Sequence, residues 1–134
     1  MELAALRYLI VDASADARRA TRERLAEIGC RAVDEAAGSV AALALLKARR
    51  FDLVIASAAM PGVSGFDLLN VVRADPALRH LPVLMLVAPG CKDDSVRAVQ
   101  GGAAGYLVTP FDAAALVGTL RGILARRGRP VPAA

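Results

Sequence analysis

The feature that most restricts the fold of this chain is a repeated alternation between two apolar patterns. Short continuous apolar runs alternate with longer amphipathic stretches, and the runs occupy residues 8–11, 32–33, 53–56, 83–87 and 106–108. Each run is too short for a helix and contains β-branched or aromatic residues, which is typical of strands buried on both faces of a parallel sheet. The runs therefore predict parallel strands.

The first amphipathic stretch predicts a helix with one apolar face and one polar face. The apolar face is made of Ala17, Thr21, Leu25 and Ile28. The opposite face, which we expect to meet water, is made of Arg18, Arg19, Arg22 and Glu23. Gly29 is expected to end the helix.

The remaining stretches predict further helices by the same reasoning. Ser39 is expected to cap the second helix, with Val40, Leu43 and Leu46 facing inward. The third covers about residues 64–74, ends before Pro76 and buries Phe66, Leu69 and either Val71 or Val72. The fourth covers about residues 93–100 and ends at Gly101 and Gly102. Asp112 is expected to cap the fifth, which buries Leu116, Leu120 and Ile123.

Strands that alternate with helices predict an open parallel sheet with helices on both faces. The expected strand order is 2-1-3-4-5, and ligands of such sheets bind at the carboxyl ends of the strands. The residues that follow strands 1, 3, 4 and 5 are therefore the candidate site. The 134 residues fit one domain over residues 1–125, and residues 126–134 form an expected flexible tail or linker.

Composition excludes several classes of protein. The chain is 56% hydrophobic and 22% charged, which is typical of a globular domain. No apolar run approaches the length of a membrane span, and Glu2 and Asp12 interrupt the region where a secretory signal would lie, so we expect a cytoplasmic protein without membrane contact. Cys30, Cys91 and His80 stand apart from one another, so neither a disulfide nor a metal site is expected.

The positive net charge of +4 raises nucleic acid as a partner. However, arginine supplies 15 of the 17 basic residues, and these arginines are scattered along an Ala-rich chain. We interpret the charge as a bias of composition and expect no nucleic-acid binding.

Four segments resemble the signature segments of bacterial response-regulator receiver domains, especially the small chemotaxis regulators. The segments are LIVDA, LVIASAAMPGVSGFDLL, LPVLMLVA and GAAGYLVTPF, and the resemblance extends over about residues 6–124. It implies a flavodoxin-like, doubly wound (βα)5 sandwich.

The resemblance also implies which groups a phosphorylated receiver needs. They are an acceptor aspartate after strand 3, two acidic Mg²⁺ ligands after strand 1, a Ser or Thr after strand 4 and a lysine after strand 5. Asp12 matches one acidic ligand, but the other positions hold Ala13, Ser57, Val87 and Thr109. Mg²⁺ is usually held by more than one carboxylate, so Asp12 alone predicts at most weak metal binding. The resemblance thus implies a degenerate pseudo-receiver with no catalytic residue and no cofactor.

The surface formed by helix 4, strand 5 and helix 5 is the candidate interaction face. Its expected residues are Lys92, Arg97, Gln100, Tyr106, Val108, Pro110, Val117 and Arg121. The favoured function is a phosphorylation-independent interaction module whose partner is a histidine kinase, a phosphotransfer protein or an output domain. The arginine face of the first helix is a second candidate docking surface.

Two alternatives remain open. A cation and an aromatic ring on the same face could hold an anionic second messenger such as a cyclic dinucleotide, although Asp112 adds a negative charge there. The chain could also be a working phosphorelay receiver with unusual chemistry.

Overall fold

The fold is taken from a computed structural model, which describes residues 3–60 and 64–126. A short 3-10 helix, Leu3–Ala5, precedes the strands β1 (Tyr8–Val11), β2 (Val33–Ala36), β3 (Leu53–Ser57), β4 (Val83–Val87) and β5 (Gly105–Val108). They alternate with the helices α1 (Ala15–Glu27), α2 (Ser39–Ala48), α3 (Gly65–Ala74), α4 (Lys92–Gln100) and α5 (Ala113–Ala125).

All neighbouring strands are parallel, and their order is β2-β1-β3-β4-β5. The sheet separates two apolar clusters, which explains the continuous apolar runs of the inner strands. One cluster packs α2, α3 and α4 against Leu9, Val54 and Met85. The other packs α1 and α5 against Ile10, Ile55 and Leu84. The predicted flavodoxin-like doubly wound architecture and strand order are confirmed.

Most predicted helix boundaries agree with the structure. Gly29 follows the end of α1 with a φ of 86°, a conformation that costs glycine little. Asp112 caps α5, because its Oδ1 accepts a hydrogen bond from the Ala115 amide at 2.8 Å. In α3 the inward residue is Val72, which is fully buried, whereas Val71 is exposed.

The prediction for the start of α2 is wrong. The N-cap residue is Gly38, and Ser39 is the first helical residue. The Ser39 hydroxyl instead donates to the Ser64 carbonyl at 3.5 Å. Because Ser39, Ala42 and Leu46 form the buried stripe, Val40 points outward and is 78% exposed.

The second strand is longer than the predicted residues 32–33. It spans Val33–Ala36 and contains two charged residues, because β2 is an edge strand. Asp34 pairs with Arg49 (3.0 Å), and Glu35 pairs with Arg18 (3.1 Å) and Arg22 (2.8 Å). Of the α1 residues expected to face water, Arg19, Arg22 and Glu23 are exposed and Arg18 is half-buried. Arg18 and Arg22 in addition pair with Glu35 of β2, which the sequence did not predict.

Cys30 is buried, Cys91 is exposed, and both are free thiols in the described residues. No helix within residues 3–60 and 64–126 has both the length and the apolar character needed to cross a membrane. Residues 127–134 of the predicted tail, and residues 61–63 of the MPGVSG loop, lie outside the described residues.

Candidate functional site

The sheet brings the expected site positions to one edge. Strands β1, β3, β4 and β5 are consecutive neighbours, so the residues at their carboxyl ends lie side by side. Asp12 follows β1, Ser57 ends β3, Val87 ends β4 and Thr109 follows β5. Ala13 follows Asp12 and is exposed.

Asp12 is held in place by local bonds. Its side chain is largely buried, with 8% of the residue exposed. Oδ1 accepts a hydrogen bond from the Ser14 amide at 3.0 Å, and the Asp12 carbonyl accepts one from Arg18 Nη1 at 2.7 Å. Ser14 in turn caps α1. The carboxylate therefore also organises the turn from β1 into α1.

Ser57 is half-buried, and its hydroxyl donates to the Ala59 carbonyl at 3.1 Å. The start of α3 approaches the end of β3 so closely that a Cβ added to Gly65 would overlap the Ser57 carbonyl oxygen. Glycine is therefore required at position 65, because its lack of a Cβ permits this backbone contact.

Val87 and Thr109 are joined through one carbonyl. The Val87 carbonyl oxygen accepts from the Thr109 amide at 2.9 Å and from the Thr109 hydroxyl at 3.4 Å. Val87 itself is buried, with 2% exposed. Neither side chain brings a charge to the strand ends.

Carboxylates are sparse at this edge. Among the positions 12, 13, 57, 87 and 109, only Asp12 carries an acidic side chain. Within the described ranges, no group of three or more His, Cys, Asp or Glu residues is arranged to hold a metal ion.

The second candidate site is the α4–β5–α5 face, which consists of the outward-facing residues of those three elements together with Pro110, between β5 and α5. Of the expected residues, Val117 is half-buried and the others are exposed: Lys92, Arg97, Gln100, Tyr106, Val108, Pro110 and Arg121. Tyr106 is 42% exposed and Val108 is 45% exposed on the outward side of β5, an edge strand.

Arg97 does not lie free on this face. Its guanidinium stacks on the Phe66 ring of α3, at 4.2 Å from the ring centroid. Such a cation–π contact stabilises the packing of α4 on α3. Arg97 therefore has a structural role that the sequence did not indicate.

Two apolar residues of the face were missed by the sequence reasoning. Val96 is 53% exposed and Val99 is 45% exposed on α4, where only Ala98 is buried. With 3.6 residues per turn, Val96, Val99 and Gln100 share one side of the helix. The signal was present in the sequence, since two valines occur three residues apart in an otherwise polar stretch.

Comparisons with known proteins agree with this geometry. The model of the response regulator receiver domain family matches residues 8–121. The chain is 41% identical to the chemotaxis protein CheY-3 of Vibrio cholerae, over 83% of this chain and 85% of the relative. It is 40% identical to the chemotaxis protein CheY of Pseudomonas aeruginosa, over 83% of this chain and 90% of the relative.

Solved structures show the same likeness. A response regulator from Chloroflexus aurantiacus superposes with a TM-score of 0.85 at 32% identity, covering 90% of this chain and 98% of the other. CheY4 of Vibrio cholerae superposes with a TM-score of 0.78 at 31% identity, covering 88% and 98%. The chain belongs to the response regulator receiver domain family, as a CheY-like signalling module of two-component systems.

Proposed function

We propose that this receiver domain signals by binding partner proteins without being phosphorylated. The observation that carries the proposal is Ser57 at the end of β3, where the family resemblance places the acceptor aspartate. A serine hydroxyl is neutral, and this one already donates to the Ala59 carbonyl. A phosphoserine would be a stable ester, which does not suit the rapid turnover of an acyl phosphate.

The surroundings of Ser57 support the same conclusion. A phosphoryl group needs positive charge to offset its developing negative charge, usually from Mg²⁺ and a lysine. Here Thr109 stands at the lysine position, and its hydroxyl is directed at the Val87 carbonyl. Asp12 stands without a second carboxylate at position 13. Because few anionic side chains lie at this edge of the sheet, there is little electrostatic repulsion for a bound metal cation to relieve.

A phosphorylation assay tests this half of the proposal. Incubation with acetyl phosphate and Mg²⁺ should leave the mass of the intact protein unchanged. The positive control is the triple variant Ala13→Asp, Ser57→Asp, Thr109→Lys, which restores three of the four missing groups and should gain one phosphoryl group. A phosphoryl group on the unaltered chain, mapped to the end of β3, would contradict the proposal.

The α4–β5–α5 face supplies the proposed binding surface. Val96, Val99, Tyr106 and Val108 are all at least 42% exposed and lie on adjacent elements. An aromatic and aliphatic centre with a polar surround, here Gln100 and Arg121, is typical of protein interfaces. The proposed partner is a histidine kinase, a phosphotransfer protein or an output domain, met in the cytoplasm.

Matched variants test the binding surface. The immobilised protein is used to capture a kinase, phosphotransfer or output protein, and the affinity for that protein is then measured by calorimetry. Tyr106→Ala should weaken binding at least about tenfold, because truncating an interface anchor costs roughly 2 kcal/mol. Ser57→Ala and Asp12→Ala should leave the affinity unchanged. If affinity follows Ser57 and Asp12 instead, the strand ends are the working site.

The cyclic-dinucleotide alternative has less support from the geometry. Arg97, its main expected cation, stacks on Phe66, and the Asp112 carboxylate remains exposed beside the face while it caps α5. The arginine face of α1 is also weakened as a docking surface, since Arg18 and Arg22 pair with Glu35.

A further inference from the structure

A cavity of about 470 Å³ lies near the amino ends of β3 and β4, between the segment that joins α2 to β3 and the segment that joins α3 to β4. Its volume falls within the range of small-molecule sites, roughly 300–1,000 Å³. None of its lining residues belongs to the strand-end positions around Ser57 or to the α4–β5–α5 face. The cavity is therefore separate from both sites described above.

The deepest part of the cavity is apolar. Leu46 and Phe51 are buried, and Leu78 and Leu81 are half-buried. Phe51 adds an aromatic ring to this apolar floor. Aliphatic and aromatic side chains of this kind give a favourable contact surface for a flat ring of a ligand.

The α3–β4 wall of the cavity is held in shape by the protein itself. The Asp75 carbonyl accepts hydrogen bonds from the Leu78 amide at 3.0 Å and the Arg79 amide at 2.8 Å. The Leu81 amide donates to the Leu78 carbonyl at 2.9 Å, and Arg73 Nη1 donates to the Leu81 carbonyl at 2.7 Å. Because this wall is already ordered, a ligand does not have to order it on binding, which favours affinity.

The α2–β3 wall carries an excess of positive charge. Lys47, Arg49 and Arg50 line it together with one carboxylate, that of Asp52. Arg49 pairs with Asp34 at 3.0 Å. Lys47 and Arg50 are exposed and make no hydrogen bond or ion pair to a described residue. Lysine and arginine both bind phosphate well, and the planar fork of an arginine matches two phosphate oxygens, so this wall suits a phosphate group.

The carboxylates of the lining give a ligand its orientation. Asp52 Oδ2 accepts a hydrogen bond from the Arg7 amide at 2.8 Å. Asp75 lies on the α3–β4 wall, where its Oδ1 accepts from the Ala77 amide at 2.8 Å. Its Oδ2 makes no hydrogen bond to a described residue and is available to a hydroxyl donor. An anionic group is thus attracted to the α2–β3 wall, and a hydroxyl group is attracted to the α3–β4 wall.

We propose that this cavity binds a nucleoside monophosphate. Lys47 and Arg50 hold the phosphate, a ribose hydroxyl donates to Asp75, and the base lies on the apolar floor next to Phe51. Inorganic phosphate would leave the apolar floor uncovered, and a neutral nucleoside would leave both cations without a partner. The inference does not depend on how the α4–β5–α5 face or Ser57 behaves.

The test uses adenosine 5′-monophosphate as the probe, with neutral adenosine and inorganic phosphate as its controls. Each is titrated into the ¹⁵N-labelled protein, and amide shifts are followed in two-dimensional NMR spectra. The nucleotide should give saturable shifts at residues 46–52 and 75–81, with an affinity at least about tenfold above that of either control, because charge-assisted hydrogen bonds and the apolar floor both contribute. The absence of a saturable shift, or an equal affinity for either control, overturns the proposal.

Variants separate this site from general attraction to a basic protein. The double variant Lys47→Gln, Arg50→Gln should remove the preference for the nucleotide over adenosine. Arg19→Gln is its matched control, because that exposed side chain on α1 makes no hydrogen bond or ion pair to a described residue. Ala77→Leu should narrow the cavity and weaken both the nucleotide and adenosine, whereas Ala44→Leu on the exposed side of α2 should not. A preference that survives the double substitution, or one that Arg19→Gln removes equally, would show that the cavity is not the binding site.

Discussion

Arg73 offers a sharp test of how this fold is held together near the interaction face. It lies near the end of α3 and has no acidic partner among the described residues. Its Nε donates to the Gly102 carbonyl at 2.8 Å, and its Nη1 donates to the carbonyls of Leu81 at 2.7 Å and Arg79 at 3.3 Å. One side chain thus connects α3 to the loop before β4 and to the loop between α4 and β5.

The expected magnitude follows from these bonds. Burial lowers the pKa of Arg73 from its ordinary value, so the charged form is partly desolvated and depends on the carbonyls. A hydrogen bond to a charged group contributes about 1.5–3 kcal/mol, but water can replace the partners of the two exposed bonds. We therefore expect Arg73→Met to lower the free energy of unfolding by about 2–3 kcal/mol.

Urea denaturation followed by far-ultraviolet circular dichroism measures this change. In a thermal scan, the melting temperature should fall by roughly 6–15 °C, given about 3–5 °C per kcal/mol for a domain of this size. Arg79→Met is the matched control, because that exposed side chain makes no hydrogen bond or ion pair to a described residue; it should change stability by less than about 0.5 kcal/mol. Equal effects of the two substitutions would refute the reasoning.

Three further predictions concern the whole domain. Millimolar Mg²⁺ should shift the melting temperature by less than about one degree, because a ligand near or below its dissociation constant adds little stability; a saturable shift abolished by Asp12→Ala would contradict this. Gly65→Ala should destabilise the fold by about 2–3 kcal/mol, because the added Cβ meets the Ser57 carbonyl. Gly118→Ala in α5 should stabilise the fold by up to about 1 kcal/mol in the same urea assay, because its added Cβ meets nothing within 4 Å. Burial raises the pKa values of Tyr8 and Cys30 above their ordinary 10.0 and 9.0, so the unfolded chain loses these protons first and stability should decline as pH rises above about 9. The decline, measured by urea titration at about pH 8 and pH 10.5, should be smaller in Tyr8→Phe, and an unchanged slope would contradict the assignment.

The inner part of the fold could be predicted from periodicity alone. Strands β1, β3 and β4 are buried on both faces, so their sequences are continuously apolar and their positions are evident. The edge strand β2 could not be placed in the same way. Its Asp34 and Glu35 are compatible with a strand only because Arg49, Arg18 and Arg22, distant in sequence, come close enough to pair with them.

The candidate site, too, could be predicted only in part. Residue types at the strand ends follow from the sequence, since a parallel sheet must bring Asp12, Ser57, Val87 and Thr109 to one edge. The bonds that these groups make do not follow from it. Only the packed structure places the Ser57 hydroxyl on the Ala59 carbonyl and the Arg97 guanidinium on Phe66.

By itself, then, the sequence determined the order of strands and helices, the family and the residue types at the strand ends, because these depend on local pattern and chain connectivity. Tertiary structure decided which side chains remain available. The exposure of Val96 and Val99, and the burial of Arg24 Nε without a hydrogen-bond partner among the described residues, depend on which helix faces turn toward neighbouring elements. That choice is made by packing between segments far apart in the chain, and periodicity within one segment carries no record of it.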